Sequence, residues 1–91
     1  MFALTRLRPP LSDVEAFERT VGELLAALAA RPGYLGGELG RATEDQHTFG
    51  LLTRWDGVGA YRRALSAAEV KIAGAPVWLF ALDEPGVFVT D

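Results

Sequence analysis

Between residues 47 and 55 the chain alternates with period two and is apolar on both faces, and this constrains its fold more than any other feature. His47, Phe49, Leu51, Thr53 and Trp55 fall on one side of such a strand, and Thr48, Gly50, Leu52 and Arg54 on the other. A strand that is wet on one side would keep one face polar, so both sides here need cover. With 91 residues there is enough chain for a single domain, residues 1–91, and for one layer of helices on one sheet. A domain of this length buries only about 60–65% of the surface its unfolded chain exposes. Because 49% of the residues are apolar, the second cover is expected from a twin: the bare sheet face packs on the same face of another subunit about a two-fold axis, giving a homodimer.

The rest of the chain supplies the other elements. Residues 2–7 alternate as a strand, which Pro9 and Pro10 end because neither can donate to a ladder. Ser12 and Glu15 have capping-box spacing and open a helix whose stripe is Val14, Phe17, Val21, Leu24, Leu25 and Leu28. That helix should stop near Ala30, since Pro32 disfavours helical geometry at Arg31 and Gly33 supplies a turn. Residues 34–42 and 47–55 are two strands joined through Thr43-Glu44-Asp45-Gln46 as an antiparallel hairpin. Asp56 is placed to cap a helix that holds Val58, Tyr61, Arg62 and Leu65, and a second helical piece runs from Ala67 to about Ala73. Gly74 and Pro76 separate that piece from residues 77–82, an apolar run whose length fits helix or strand equally. Pro85-Gly86 makes a turn and residues 87–90 a last strand. The order predicts an α+β fold, the ferredoxin-like βαββαβ arrangement with a four-stranded antiparallel sheet and helices on one face.

Composition excludes several function classes. The chain has no cysteine, which removes disulfides, thiolate metal sites and a cysteine nucleophile and fits a reducing compartment. The start, Met1-Phe2-Ala3-Leu4-Thr5-Arg6, has no leader pattern and no apolar run approaches bilayer length, so a cytoplasmic protein with no membrane partner is expected. The net charge is −3 with basic residues scattered among acids, which argues against a nucleic-acid partner.

Three stretches carry a family resemblance: Pro32-Gly33-Tyr34-Leu35-Gly36-Gly37, then Phe49 through Trp55-Asp56, then Ala60-Tyr61-Arg62-Arg63-Ala64-Leu65-Ser66. In this order and spacing the chain resembles the antibiotic biosynthesis monooxygenase domain family over nearly its whole length. The tail from Ala81 to Phe88 is similar to that of many actinobacterial members. The resemblance implies a dimeric α+β barrel with a cavity between sheet and helices. It also implies oxidation of a flat aromatic or polyketide-like molecule by molecular oxygen, without metal or flavin. Such chemistry needs an electron-rich phenol whose anion passes one electron to oxygen, in a site that favours the anion and holds the radical pair. The family's oxygenase pattern includes an Asn four residues before the strand-end Trp. Here that position is Leu51, and the chain contains no Asn. Leucine neither donates to a phenolate nor accepts its proton. The expected function is therefore a cofactor-independent monooxygenase lacking one family group, the alternative being a non-catalytic dimeric module that binds a small molecule or is purely structural. Haem is not expected, because Ala64 and Glu69 stand where haem-degrading relatives often carry histidines. Nor is any other cofactor or metal.

Within this frame the candidate catalytic residues are Trp55, Tyr61 and His47, and the candidate substrate-binding residues are Tyr34, Phe49, Leu51 and Trp78. Each also has a purely structural reading. Trp55 stacks on a flat substrate or is core. Tyr61 offers its hydroxyl to a substrate oxygen or sits at a helix edge with its tip in water. His47 is the side chain whose ordinary pKa suits proton transfer near neutrality, or it is an exposed hairpin residue. Trp78 and Phe80 close one end of the cavity or complete the contact between subunits. Arg41 and Arg54, near strand ends, bind an anion or make surface ion pairs. Asp83 and Glu84 are two acids at a turn, for which solvent exposure is the simpler account.

Overall fold

A computed structural model describes residues 1–82 and 85–90. The elements are β1 (Phe2–Leu7), a 3-10 turn (Leu11–Asp13), α1 (Val14–Ala29), β2 (Tyr34–Arg41), β3 (Phe49–Trp55), α2 (Val58–Ser66), α3 (Ala68–Trp78) and β4 (Gly86–Phe88). The strands form one sheet in the order β2-β3-β1-β4, with every neighbouring pair antiparallel. This is the ferredoxin-like α+β arrangement expected from the sequence. The shortest molecular dimension is 19 Å, which accommodates one sheet and one helical layer but not a third layer.

Alternation decides what each strand buries. On the inner face Ala3, Thr5 and Leu7 of β1 are buried beside Phe49, Leu51, Thr53 and Trp55 of β3. Against them α1 lays Phe17, Val21, Leu24 and Leu28, one apolar stripe at helical spacing. The outer face carries Phe2, Leu4, Leu52 and Phe88, aligned by the pairings Leu4↔Leu52 and Phe2↔Phe88. The Phe2 and Phe88 rings stack with centroids 5.0 Å apart. Leu4 remains 38% and Phe88 47% exposed, and no element among the described residues covers this side.

The Pro-Gly-Tyr stretch has a physical reason. Gly33 adopts a φ of +88°, and a Cβ there would stand 2.5 Å from the Ala60 Cβ and 2.6 Å from Asp56 Oδ1. The turn thus brings β2 tightly against the start of α2, fixed by the Asp56 N–H donating to the Gly33 carbonyl at 2.9 Å.

Local punctuation was less reliable than periodicity. The Ser12–Glu15 capping box does not form: the 3-10 turn leads into α1, Asp13 stands at the N-cap, and no side chain caps the helix. Asp56 does not cap α2 either, because the cap position falls one residue later on the extended Gly57. The hairpin loop is longer than expected. Strand β3 begins at Phe49, and a turn built on Asp45 holds residues 45–48, with the Thr48 N–H donating to the Asp45 carbonyl at 3.0 Å. Helix α3 runs through Gly74 and Pro76 instead of stopping before them, since burial of Val70, Gly74 and Val77 on one face outweighs the backbone bond that Pro76 forfeits. The undecided run 77–82 divides: Val77 and Trp78 end α3, a turn follows, and Ala81 bridges to Leu7. The final strand covers only Gly86–Phe88.

Candidate functional site

Two neighbouring spaces adjoin helices α2 and α3. The outer one is a cleft of about 380 Å³ lined by Tyr61 and Leu65 from α2, Val70, Lys71, Ala75 and Trp78 from α3, and Pro85 before β4. This volume is within the usual range for small-molecule pockets. The inner one, between sheet and helices, is about 10 Å³ and is lined by Ala3, Thr5, Leu28, Leu51, Thr53, Tyr61, Leu65 and Trp78. It has room for about one water and no organic ligand. Tyr61, Leu65 and Trp78 line both spaces, so these three side chains form the partition between cleft and sheet. The space expected between sheet and helices is therefore filled by the chain's own side chains, and the open volume lies outside them.

Trp55 lines neither space. It is 0% exposed, and its indole N–H donates to Thr53 Oγ1 at 2.9 Å, two residues back on the same strand face. Edge-on packing fixes the ring from two sides, with Tyr34 at 5.2 Å and Tyr61 at 5.8 Å between centroids. Trp55 thus forms the rigid backing of Tyr61.

Tyr61 is the polar group that the fold places most suggestively. The residue is 8% exposed, lines both spaces, and its hydroxyl has no hydrogen-bond partner among the described residues. Burial raises its pKa above the ordinary phenol value, so near neutrality it is a protonated donor. Tyr34, on the far side of Trp55, is also raised by burial, with the nearby Arg54 guanidinium acting in the opposite direction. Its hydroxyl lies over Gly37, where a Cβ would come within 2.6 Å. It does not line the cleft.

Leu51 lines the inner space and Trp78 belongs to the partition, but Phe49 and His47 lie elsewhere. Phe49 is core, 5.2 Å from the Phe17 ring, with the Arg41 guanidinium over its outer side at 4.7 Å. Because β3 starts at Phe49, alternation does not carry His47 onto the inner face. It sits in the hairpin turn, its backbone N–H donating to Asp45 Oδ1 at 2.9 Å. That bond first, and then the Thr48 hydroxyl, hold the Asp45 carboxyl below its usual range. Arg54 pairs with Glu38 at 3.1 Å on the outer face. Asp83 and Glu84 lie outside the described residues.

Sequence reasoning missed Leu65, Val70, Lys71 and Ala75 as cleft walls, and Thr5 and Thr53 as the hydroxyls nearest the inner space. Period two had already put Thr53 on the inner face. Val70 and Lys71 fall inside the expected helical piece from Ala67 to about Ala73, where no local signal marks them as walls, and Ala75 lies beyond its expected end.

Comparison with known proteins gives this geometry a context. The family model described as antibiotic biosynthesis monooxygenase matches residues 1–75. Among solved structures, SnoaB, a cofactor-independent oxygenase from Streptomyces nogalater, superposes with a TM-score of 0.83 at 20% identity, covering 99% of this chain and 90% of that one. A mutant of the same enzyme gives 0.85 at 21% identity, covering 98% and 90%. A conserved protein from Methanosarcina mazei Go1 gives 0.79 at 12% identity, covering 93% and 84%. At these identities the likeness is one of fold. No curated protein matches the chain.

Proposed function

Given that the chain belongs to the antibiotic biosynthesis monooxygenase family, we propose that it is a homodimeric, cofactor-independent monooxygenase whose substrate, a flat aromatic or polyketide-like molecule, binds in the cleft between α2 and α3. The observation that carries this reading is Tyr61, a residue 8% exposed whose protonated hydroxyl has no partner among the described residues, in the largely apolar wall of the cleft. A substrate whose ring lies against Leu65, Val70 and Trp78 brings a phenolic or carbonyl oxygen to that hydroxyl.

The chemistry is balanced without an added reductant. A ring methylene flanked by phenol-bearing rings is converted to a carbonyl, one oxygen atom entering the carbon and the other leaving as water with the two hydrogens the carbon loses. All the electrons that reduce oxygen come from the substrate. The protein's share is to stabilise the substrate anion and to keep the radical pair together. Tyr61 does the first by donating its hydrogen bond to the anionic oxygen, and the apolar walls do the second by excluding water. Trp55, locked by Thr53 and Tyr34, positions Tyr61 without touching substrate.

The test is oxygen uptake with a panel of anthrones and phenols. Turnover is expected to drop about 10- to 100-fold in Tyr61→Phe, in line with loss of one oxyanion donor or a weaker version of it, with substrate binding largely retained. Absence of turnover across the panel would sink the oxygenase reading. A second reading, a non-catalytic binder, is favoured by one observation: among the described residues lining cleft and inner space there is no carboxylate or histidine to take the substrate's proton. Tight binding with every ligand recovered unchanged and no oxygen consumed would establish it instead.

A further inference from the structure

Among the described residues lining the cleft, Lys71 is the one charged side chain. It is exposed, lies on α3 beside the walls formed by Val70 and Ala75, and has no ion-pair partner among the described residues. A lysine in this setting lays its aliphatic stem along apolar wall and keeps its ammonium at the rim. The same lining includes Tyr61, a residue 8% exposed whose hydroxyl is also without a partner among the described residues. The less exposed part of the cleft wall therefore offers a neutral donor in an apolar setting, and the exposed rim a positive charge without a partner among the described residues.

We propose that Lys71 is a specificity-determining residue that selects a ligand bearing a carboxylate and fixes its direction: ring system inward against Trp78 and Tyr61, carboxylate outward on the Lys71 ammonium. This rests on the reading of the cleft as the ligand site. It adds what that reading leaves open, the charge of the ligand and the end that enters first. A neutral polycycle of the same shape would fill the same walls but leave Lys71 unpaired.

The experiment uses the full chain and two probes with the same ring system, anthraquinone-2-carboxylate and anthraquinone-2-carboxamide, with binding followed by calorimetry. In dilute buffer the carboxylate is expected to bind about fivefold tighter than the amide, the size of a rim-exposed ion pair. The preference should shrink as salt is raised. In Lys71→Gln it should fall to about one while the amide's affinity stays the same, and Lys71→Arg should preserve it. Lys71 is exposed, so these variants should melt with the parent. Equal binding of both probes to the parent, or a preference that survives Lys71→Gln, overturns the role of Lys71 and leaves the cleft standing. Ala75→Trp, at an exposed position of the wall, should fill the cleft and weaken both probes. If neither probe binds the parent, or both ignore Ala75→Trp, the cleft itself is not the ligand site and both proposals fall together.

Discussion

Thr53 shows how one hydroxyl can hold a site together. Its oxygen accepts the Trp55 indole N–H inside a fully buried cluster, and removing it strands a donor where no water compensates. Thr53→Val keeps the volume and is expected to cost about 1–3 kcal/mol by urea titration, with Thr53→Ser recovering most of it. An unchanged midpoint in Thr53→Val would mean that the indole finds another partner. Tyr61 makes a prediction about pH. Its folded pKa is raised by burial, so the folded state resists losing a proton that the unfolded chain gives up near the ordinary phenol value of about 10. Stability is therefore fully retained below that pH and declines as pH rises through and beyond it. The decline in urea midpoint between neutral and strongly alkaline pH should be shallower in Tyr61→Phe, and equal slopes would contradict a buried phenol.

At the scale of elements, α3 is the piece that makes the cleft, and it does so against its own sequence. Pro76 removes an intrahelical bond and Gly74 lowers helix propensity, yet the helix continues to Trp78 because Val70, Gly74 and Val77 lie buried. Gly74 has a further use. A Cβ there would stand 2.5 Å from Trp78 Nε1, so the indole rests where only a glycine leaves room. In Gly74→Ala, a helix-propensity gain of about 1 kcal/mol opposes an overpacking cost of about 1–3 kcal/mol. Trp78 is only partly buried and has space to swing out. The expected result is a small change in melting temperature together with red-shifted tryptophan emission and stronger acrylamide quenching. Unaltered emission would show that Trp78 is not held by that seat.

For the whole molecule the decisive feature is the bare outer face. Phe2, Leu4, Leu52 and Phe88 form an apolar surface flanked by the Arg54–Glu38 pair, and nothing among the described residues lies over it. The proposed homodimer would remove this face from water by packing it on a second copy. Leu52→Lys is the discriminating variant, because a lysine there can pair with Glu38 across β2 and β3 in a lone subunit but would be desolvated in an apolar interface. Light scattering is expected to give the mass of a dimer for the parent and of a monomer for Leu52→Lys. The same mass for both would rule out this face as the interface.

The sequence by itself determined the fold and the backing of the site. Period two in residues 49–55 set which side chains face inward, helical spacing in α1 set what lies on them, and Pro32-Gly33-Tyr34 set how β2 meets α2. These signals are local repeats or steric requirements, so they survive without knowledge of neighbours. What only the tertiary structure decided was where open space remains. Trp55 and Phe49 were equally good as cavity walls and as core until Thr53, Tyr34 and Phe17 closed around them. His47 lost its place on the inner face when the Asp45 turn took up the start of the strand. Lys71 gained its significance only when burial of Val70 and Val77 carried a helix through Gly74 and Pro76. Cavities and unpaired charges are properties of what distant segments fail to fill, and no local pattern encodes them.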